Sequence, residues 1–450
     1  MTILFPVQKA AYDKGKGKER FGYFLEMGLG KTLLVLHEFA ELLDAGEADI
    51  MMVFCPNSLI STWKDEIKKH QFEFETVTKP DSSREVKRGS VVLYNYEAII
   101  NSPGKHIADI LKIHRTYAVF DESVQIKNFK AERWTKGIQR WEHLLKYVRL
   151  LSGRPMVQSP MDLWTQLTML HGQVSSSPYA FRNTYCRMGG WMNKQVVGTM
   201  NPERLTQILN AVSIVATKKQ WTDLPEKLYT SRNYTMTELQ HQTYNKMYRD
   251  MIVEIKSQPI SVQQAVHKYS KLQQVGSGFM FNESGDAVPI MEFEKVPKLK
   301  VLEEILDEME GKVIVFAHYR PSVEALSKHF KCPTIRGGMT EHDIKDVIDE
   351  FNNGDSRVFV GQLAAAKYGL TLLGHPAMPC HTTVYFENSY SLDARIQSED
   401  RNHRHGQKNS VLYIDLMGAA VERKIIRALQ HKDDLSRLIM GMNEELQNAA

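Results

Sequence analysis

The sequence has few cysteines and no long apolar run. Its four cysteines are spread over 450 residues and form no Cys-x-x-Cys pair, which argues against a disulfide framework or a zinc ribbon and predicts a reducing compartment. No apolar stretch reaches the roughly 18 residues that a membrane span requires, and no basic segment precedes an apolar one at the N-terminus. We therefore expect no signal peptide, no contact with a membrane and a cytoplasmic location.

An excess of one charge is also missing. The chain has 57 Lys and Arg against 53 Asp and Glu, a net charge of +4, so any affinity for nucleic acid must come from local clusters of basic residues. Hydrophobic residues make up 42% and charged residues 24%, which is ordinary for a globular protein. A chain of this length is too long for one core and predicts two or three structural units.

Short apolar runs alternate with amphipathic stretches in two blocks, which predicts an α/β fold with parallel sheets flanked by helices. The first block, residues 1–170, has strands predicted at 21–25, 50–55, 90–94, 117–121 and 147–152, and helices at 32–43 and 58–69, the latter with Ser58 as N-cap. The second block, residues 297–440, has strands predicted at 312–316, 333–335, 357–361, 383–387 and 411–416, and helices at 298–309, 322–330 and 341–352. Between them, residues 171–296 show helical runs at 237–256 and 262–279 and predict a helical insertion and linker, and residues 441–450 predict a C-terminal tail.

The segment EMGLGKT, residues 26–32, has the composition of a phosphate-binding loop. Gly28 and Gly30 allow the backbone to bend so that its N–H groups point at phosphate oxygens. Lys31 would supply a positive charge to the β- and γ-phosphates, and Thr32 would supply a hydroxyl to Mg²⁺. These residues are predicted to bind ATP.

The segment VFDES, residues 119–123, follows an apolar run and carries two adjacent carboxylates. Asp121 can hold Mg²⁺, and Glu122 can orient and activate the attacking water. Either segment alone would be a weak signal, but both follow predicted strands and come in the order that an NTP-hydrolysing site requires.

The segment QSEDRNHRHGQ, residues 397–407, lies in the second block. It places Arg401 and Arg404 three residues apart, on one helical face if the segment is helical. If the two lobes close over ATP, both guanidinium groups can reach the γ-phosphate and stabilise charge in the transition state. We therefore predict both as catalytic residues.

Together these segments resemble the Swi/Snf family of DNA-translocating ATPases within helicase superfamily two. The resemblance extends over about residues 3–430, and its last segment, ending in His-Arg-x-Gly-Gln, is the most specific. Gln8 corresponds to the family's adenine-reading glutamine. The other matching segments are EMGLGKT, VFCPNSLISTWKDEI (53–67), VVLYNYEAI (91–99), DESVQIKN (121–128), LLSGRPMVQSPMDLW (150–164), ATKKQWTDLPEK (216–227), KVIVFAHY (312–319), AAAKYGLTL (364–372) and QSEDRNHRHGQ.

Four residues, at three places along the chain, depart from the family pattern. Leu25 stands where the phosphate loop usually has Gly or Asp, Ser123 and Val124 follow the paired carboxylates, and Arg154 replaces the threonine of the usual Gly-Thr-Pro. These changes bear on coupling more than on hydrolysis.

The resemblance implies two tandem RecA-like lobes that bind ATP and Mg²⁺ and move along double-stranded DNA, including branched or forked DNA. It favours a monomer of a minimal bacterial or viral type, in a bacterial cell or an infected host cell. Lys127, Lys130, Arg133, Lys136 and Arg140 recur mostly at a spacing of three, which predicts either a strip that contacts the DNA backbone or a solvated face of one helix. Trp63 is predicted as a core residue, with base stacking as the alternative. The residues predicted to contact DNA are Ser58, Asn95, Lys127, Lys130, Arg133, His318 and Gln362.

Three functions compete at this stage. The first is an ATP-dependent translocase on double-stranded DNA that remodels DNA structures or displaces bound proteins. The second is a strand-separating or annealing helicase, against which the motif order argues. The third is a catalytically silent DNA-binding scaffold, which would require the loss of Lys31, Asp121, Glu122 or Arg404, and all four are present.

Overall fold

The chain forms two compact units. The computed structural model describes residues 4–101, 104–189, 195–221, 224–257, 262–368 and 370–439. The units divide between residues 223 and 224, and the end of the last helix, from Lys432, belongs with the first unit. No helix within these described ranges is both long and apolar enough to cross a membrane.

The first unit is built on a seven-stranded sheet. Its strands, with those of a separate two-stranded ribbon (β7 and β8), are β1 (Arg20–Leu25), β2 (Ile50–Cys55), β3 (Glu75–Thr78), β4 (Ser90–Asn95), β5 (Thr116–Asp121), β6 (Tyr147–Leu151), β7 (Cys186–Gly189), β8 (Gln195–Thr199) and β9 (Ser213–Ala216). The order across the sheet is β3-β4-β2-β5-β6-β1-β9, and every neighbouring pair is parallel. All seven strands therefore end at one edge, where the loops that follow them meet.

Helices lie in most of the connections between these strands, whereas β3 and β4 are joined through a 3₁₀ turn at Ser83–Glu85. The helices are α1 (Pro6–Gly15), α2 (Lys31–Asp44), α3 (Ile60–Lys69), α4 (Gly104–Ile113), α5 (Gln139–Trp141), α6 (Trp164–Met169), α7 (Pro178–Tyr185), α8 (Pro202–Val212) and α9 (Lys218–Trp221). Both faces of the sheet are buried: Phe54 stacks on Phe120 with ring centroids 4.7 Å apart on one face, while Met51 and Val53 face the core on the other.

A buried ion pair fixes α2 against the sheet. Arg149 of β6 is 1% exposed and donates through Nε to Oε2 of Glu38 on α2 at 2.9 Å. The hydroxyls of Tyr23 and Tyr117 donate to the same carboxylate at 3.1 and 2.7 Å. Since buried charges are tolerated only when they are paired and hydrogen-bonded, this cluster specifies where α2, and the loop before it, must lie.

The second unit has its own parallel sheet. Its strands, with those of a short hairpin (β11 and β12), are β10 (Lys227–Asn233), β11 (Phe279–Phe281), β12 (Ala287–Pro289), β13 (Lys312–Ala317), β14 (Thr334–Ile335), β15 (Val358–Gln362), β16 (Gly374–His375), β17 (Met378–Tyr385) and β18 (Val411–Met417). The order is β10-β18-β17-β13-β15-β14, all parallel, and β16 adds an antiparallel pairing to β17. Its helices are α10 (Glu238–Ser257), α11 (Val262–Gly276), α12 (Pro297–Glu308), α13 (Arg320–Phe330), α14 (Glu341–Asn353), α15 (Leu392–Glu399) and α16 (Ala420–Ile439).

The predicted α/β class, with parallel sheets flanked by helices in two lobes, is confirmed. The stretch 171–296, however, is not one helical insertion. Its β9 pairs with β1 in the first sheet and its β10 pairs with β18 in the second, so the stretch is shared between the units. Both strands were missed because β9 has only four residues and β10 is an edge strand whose exposed positions lack an apolar pattern. The predicted tail, 441–450, lies outside the described residues.

Two local predictions are wrong. Ser58 does not cap α3, because a 3₁₀ turn at Asn57–Leu59 follows Pro56 and the helix begins only at Ile60. The basic residues from Lys127 to Arg140 do not share one α-helix either, since the chain passes from a 3₁₀ turn into a π-helical turn at Arg133–Ile138. The spacing of three therefore does not align these side chains along a single face.

Candidate active site

The phosphate loop lies between β1 and α2, at the carboxyl edge of the first sheet. Gly28 and Gly30 have φ of +86° and +76°, in the left-handed region that favours glycine. The 14-residue α2 starts directly after Gly30, which has no side chain to cap it, so the N–H groups of the first turn face the loop. Lys31 Nζ donates to the Leu25 carbonyl at 2.9 Å, which holds the ammonium group at the loop. This arrangement suits an anionic ligand.

Gln8 is tied to this loop rather than extended into solvent. It is 1% exposed, donates through Nε2 to the Gly30 carbonyl at 3.0 Å and accepts from the Phe5 N–H at 2.7 Å. A Cβ at Gly30 would lie 1.9 Å from Gln8 Nε2, so only glycine permits this contact. Gln8, which is predicted to read the adenine, therefore also stabilises the phosphate loop through its contact with Gly30.

The two predicted carboxylates lie at the end of β5, which is separated from β1 by β6. Asp121 is 7% exposed, and its Oδ1 accepts from the N–H of Glu122 at 2.9 Å. Glu122 is only partly buried and has a φ of +52°, a conformation that costs a non-glycine residue about 1 kcal/mol or more. Tyr96 helps to hold this bend, since its hydroxyl donates to the Asp121 carbonyl at 2.7 Å.

Burial and charge act against each other at Asp121. Burial raises the pKa of its carboxyl group, while the Lys31 ammonium, the Trp63 indole and the Glu122 N–H favour the ionised form. The Trp63 indole Nε1 donates to Oδ2 at 3.0 Å. Sequence reasoning placed Trp63 in the core, and its 1% exposure agrees with that, but the contact with Asp121 was missed. The sequence offered one signal for this contact, because a buried tryptophan needs an acceptor for its N–H.

The loop after β6 packs beside the phosphate loop. A Cβ on Gly153 would lie 3.5 Å from the backbone nitrogen of Met27, so the two loops are in contact. The neighbouring Arg154 forms an ion pair with Asp433, in the part of α16 that belongs with the first unit. The arginine that stands in place of the family's threonine therefore has an acidic partner within the same unit. Sequence spacing could not have identified Asp433 as that partner, because the two residues are 279 positions apart.

In the second unit, Arg401 and Arg404 follow α15, which ends at Glu399, so they lie in a turn and not on a helix. Both nonetheless donate to the Leu370 carbonyl, Arg401 at 3.3 Å and Arg404 at 3.0 Å. Arg401 is 1% exposed and also donates to the Gln397 carbonyl at 2.6 Å, so its guanidinium holds the turn. Arg404 is only partly buried, and this burial lowers the pKa of its guanidinium.

A buried network anchors the segment that carries these arginines. Glu399 Oε2 accepts from Lys227 Nζ at 3.0 Å and from the Tyr229 hydroxyl at 2.9 Å, both on β10. Its Oε1 accepts from Arg395 Nε at 2.9 Å. These charges hold the pKa of Glu399 below its usual value despite burial. Lys227 is the last residue of the segment 216–227 that resembles the family, and its ammonium group forms an ion pair with Glu399.

The residues of the first unit that are predicted to contact DNA lie at or after the carboxyl ends of β2, β4 and β5, which are adjacent strands. Asn95 Nδ2 donates to Asn57 Oδ1 at 3.3 Å, which brings the neighbouring Ser58 close. Arg133 donates to the Gln125 carbonyl at 3.3 Å, and its guanidinium lies over the Tyr96 ring at 5.8 Å. Lys130 is exposed and Lys127 is partly buried. We call the group Asn57, Ser58, Asn95, Gln125, Lys127, Lys130 and Arg133 the basic edge.

Predicted DNA contacts of the second unit also lie at a carboxyl edge. His318 follows β13 and Gln362 ends β15, and the register pairs Ala317 with Gln362. Gln362 Oε1 accepts from the Gly337 N–H at 2.9 Å. Burial lowers the pKa of the partly buried His318, and the Glu387 carboxylate opposes that effect.

Comparison with known proteins assigns this pair of units to a family. Residues 24–277 match the SNF2-related domain, and residues 297–406 match the helicase conserved C-terminal domain. The chain is 28% identical over 441 residues to the SWI/SNF-related matrix-associated actin-dependent regulator of chromatin subfamily A-like protein 1 homolog of Caenorhabditis elegans, matching 91% of this chain and 57% of that protein. It is 22% identical over 450 residues to the ISWI chromatin-remodeling complex ATPase ISW1 of Saccharomyces cerevisiae, matching 93% of this chain and 38% of that protein.

These relatives are longer than the chain, which spans 57% and 38% of their lengths. Among solved structures, the SWI2/SNF2 ATPase core of Sulfolobus solfataricus in complex with dsDNA is similar over 98% of this chain and 94% of that chain, with 22% identity and a TM-score of 0.44. The resemblance inferred from the motifs is confirmed by the domain matches. Because the SNF2-related match alone covers more than half of the sequence, the chain belongs to the SNF2-related family.

Proposed function

We propose that the chain is an ATP-driven translocase that moves along double-stranded DNA without separating its strands. The observation that carries this proposal is that the glycine-rich loop with Lys31 and the paired carboxylates lie at the same carboxyl edge of a parallel sheet, in a chain that belongs to the SNF2-related family. The biological role would be to remodel DNA structures or to displace bound proteins.

The ATP chemistry is assigned to residues of the first unit. The N–H groups of the phosphate loop and Lys31 would bind the phosphates, and Glu122 would orient the attacking water. Glu122 suits this role because it is only partly buried while its backbone is held by Tyr96 and by the side chain of Asp121. Gln8, to which the family resemblance gives the adenine, is held next to the same loop by its hydrogen bond to the Gly30 carbonyl.

Thr32 and Asp121 are the residues that would hold Mg²⁺, which supplies positive charge to the phosphates. The donor set fits, because Asp121 is a fixed carboxylate near Lys31, and Thr32 is partly exposed at the start of α2. Among the described residues, no three His, Cys, Asp or Glu side chains come together as a metal cluster. One carboxylate and one hydroxyl suit Mg²⁺, which usually takes its remaining ligands from water and substrate phosphates.

We assign DNA binding in the first unit to the basic edge. Its side chains are hydrogen-bond donors and cations, the groups that contact phosphate oxygens in a sequence-independent manner. Burial and the nearby Lys127 lower the pKa of Lys432, so another cation lies beside this group. Lys432 was not predicted from the sequence, because 305 positions separate it from Lys127 (432 − 127).

Arg404 is assigned to the transition state. We propose that the second unit supplies this guanidinium to ATP held by the first, and that bound DNA promotes the closure this requires. Arg401 is assigned a supporting role, since it is buried and bonded to the turn that carries Arg404.

The experiment that tests the function combines two assays. ATP hydrolysis is measured without DNA and with single-stranded, duplex and forked DNA, and a triplex whose third strand is displaced by any motor that tracks the duplex is added in parallel. We expect duplex DNA to stimulate hydrolysis and the third strand to be released only with ATP, while Lys31→Ala fails in both assays.

Two results would favour the alternatives. Separation of a forked duplex without release from the triplex would identify a strand-separating helicase. DNA binding without hydrolysis on any of the substrates would identify a silent scaffold.

A further inference from the structure

We propose that Trp63 is a positioning residue for the ATP site, whose indole N–H holds the Asp121 carboxylate in the orientation that Mg²⁺ requires. Trp63 lies on α3, outside the phosphate loop and outside the paired carboxylates. It is 1% exposed, and its Nε1 is 3.0 Å from Asp121 Oδ2. The proposal depends only on the ATP site and does not require movement along DNA.

The two oxygens of Asp121 are held by two different donors. Oδ1 accepts from the Glu122 N–H at 2.9 Å, and Oδ2 accepts from Trp63. One donor would leave the carboxylate free to rotate about its broad terminal torsion, whereas donors on both oxygens fix its plane. Each carboxylate oxygen has a second lone pair, which remains for a metal ion or its water.

The position of Trp63 follows from the sheet. Strand β2 lies beside β5, and α3 follows β2, so the helix packs next to the end of β5. Trp63 and Ile67 are the buried residues of α3, one turn apart. An indole has a single polar group, which only donates, and burial forces that group to find an acceptor. The acceptor in this core is the carboxylate that the ATP site uses.

Trp164 provides a matched control. It is also a buried tryptophan of the first unit, 5% exposed, and its Nε1 donates at 2.9 Å to the Ser175 carbonyl. Replacing either residue with phenylalanine keeps an aromatic ring and removes one indole hydrogen bond. Only Trp63→Phe removes a bond to the carboxylate.

The test measures the affinity for a fluorescent, non-hydrolysable ATP analogue without DNA, first in EDTA and then across a Mg²⁺ titration. We expect Trp63→Phe to bind the analogue in EDTA as wild type does, and to need about 10- to 100-fold more Mg²⁺ for the same gain in affinity, the usual cost of losing a residue that orients a metal ligand. Trp164→Phe should follow wild type. A Mg²⁺ midpoint in Trp63→Phe equal to that of wild type would overturn the proposal.

A second measurement avoids substituting Trp63, in case that variant does not fold. The tryptophan indoles are labelled with ¹⁵N, and their N–H resonances are compared between wild type and Asp121→Ala. We expect the Trp63 resonance to move to the position of a weaker hydrogen bond and the Trp164 resonance to stay. An unmoved Trp63 resonance would show that the indole does not hold Asp121.

Discussion

At the scale of single residues, Lys31 and Glu122 are held in different ways, which fits the different roles proposed for them. Lys31 is held inside the phosphate loop by the Leu25 carbonyl, whereas the Glu122 side chain is partly exposed on a bend of positive φ. In the proposed function, Lys31 would bind the phosphates of ATP and Glu122 would orient the attacking water. Their roles should therefore be separable by substitution.

Glu122→Gln should leave ATP bound but unhydrolysed, because the amide keeps the size of the carboxylate and loses its basicity. Lys31→Ala should abolish turnover by removing the cation at the β- and γ-phosphates. ATP affinity and turnover, measured together for both variants, test this difference. Equal loss of nucleotide affinity in the two variants would contradict the separate roles.

His318→Asn should reduce the loss of stability at acidic pH. Burial lowers the pKa of His318 in the folded chain, so below its unfolded value of about 6.5 the unfolded chain takes up the proton first. The free energy of unfolding of wild type should thus fall from pH 7.5 to pH 5.5, by at most about 1.4 kcal/mol per pH unit from this group.

Urea unfolding at several pH values measures this effect. The control is His342→Asn, which replaces an exposed histidine beside Asp346 and should keep the wild-type dependence. If wild type and His318→Asn lose stability equally on acidification, the assignment to His318 is incorrect.

At the scale of elements, buried charges determine how helices attach to the sheets. Glu38 and Arg149 join α2 to β6 in the first unit. In the second unit, Glu399 joins the end of α15 to Lys227 on β10. Helix α2 follows the phosphate loop, and α15 precedes the turn that carries Arg401 and Arg404. Each ion pair therefore also positions a segment that contains candidate active-site residues.

Glu38→Gln should destabilise the first unit by about 3 kcal/mol, because it leaves the Arg149 guanidinium buried without its counter-charge. Asp109→Asn is the control, since Asp109 and its partner Lys112 are 58% and 63% exposed and such pairs contribute less than about 1 kcal/mol. Urea unfolding compares the two variants with wild type. A similar small loss in both would mean that the buried pair does not specify the position of α2.

At the scale of the whole molecule, the proposed function requires the two units to act together, since Arg404 and the residues predicted to bind ATP are in different units. Each unit has its own parallel sheet and its own buried core. DNA could then control hydrolysis by controlling how the units meet, without changing the fold of either.

Arg404→Ala should retain binding of ATP and DNA but lose the stimulation of hydrolysis by duplex DNA. A guanidinium that stabilises the transition state typically contributes on the order of 10³ or more in rate. Hydrolysis with and without duplex, together with nucleotide affinity, tests this expectation. Hydrolysis that DNA still stimulates to near the wild-type rate would exclude a two-unit active site.

DNA affinity should fall steeply with salt and depend little on sequence, because a motor must tolerate every sequence that it crosses. Arg133→Gln on the basic edge should reduce the slope of log affinity against log salt by about one. Lys69→Gln is the control, because Lys69 is an exposed lysine of the same unit that is not assigned to DNA. Equal slopes in the two variants would remove Arg133 from the DNA contact.

The sequence alone determined the elements whose pattern is local. The central strands were predictable because they are continuous apolar runs, and β2 was predicted at its observed bounds. The segment of the candidate phosphate loop and the paired carboxylates were expected at the ends of strands, and the structure has them at the ends of β1 and β5. Their chemical roles stay predictions. Family membership followed from the order of these segments, and the domain matches agree with it.

Only the tertiary structure decided which distant groups meet. The assignment of β9 and β10 to different sheets depends on pairing partners about 190 residues apart, β1 with β9 and β10 with β18, and no local pattern specifies a partner. Trp63 reaches Asp121, and Arg154 reaches Asp433, because folding brings together side chains that lie 58 and 279 positions apart. A sequence shows that a buried indole needs an acceptor, but the geometry of the sheet edge selects which acceptor it finds.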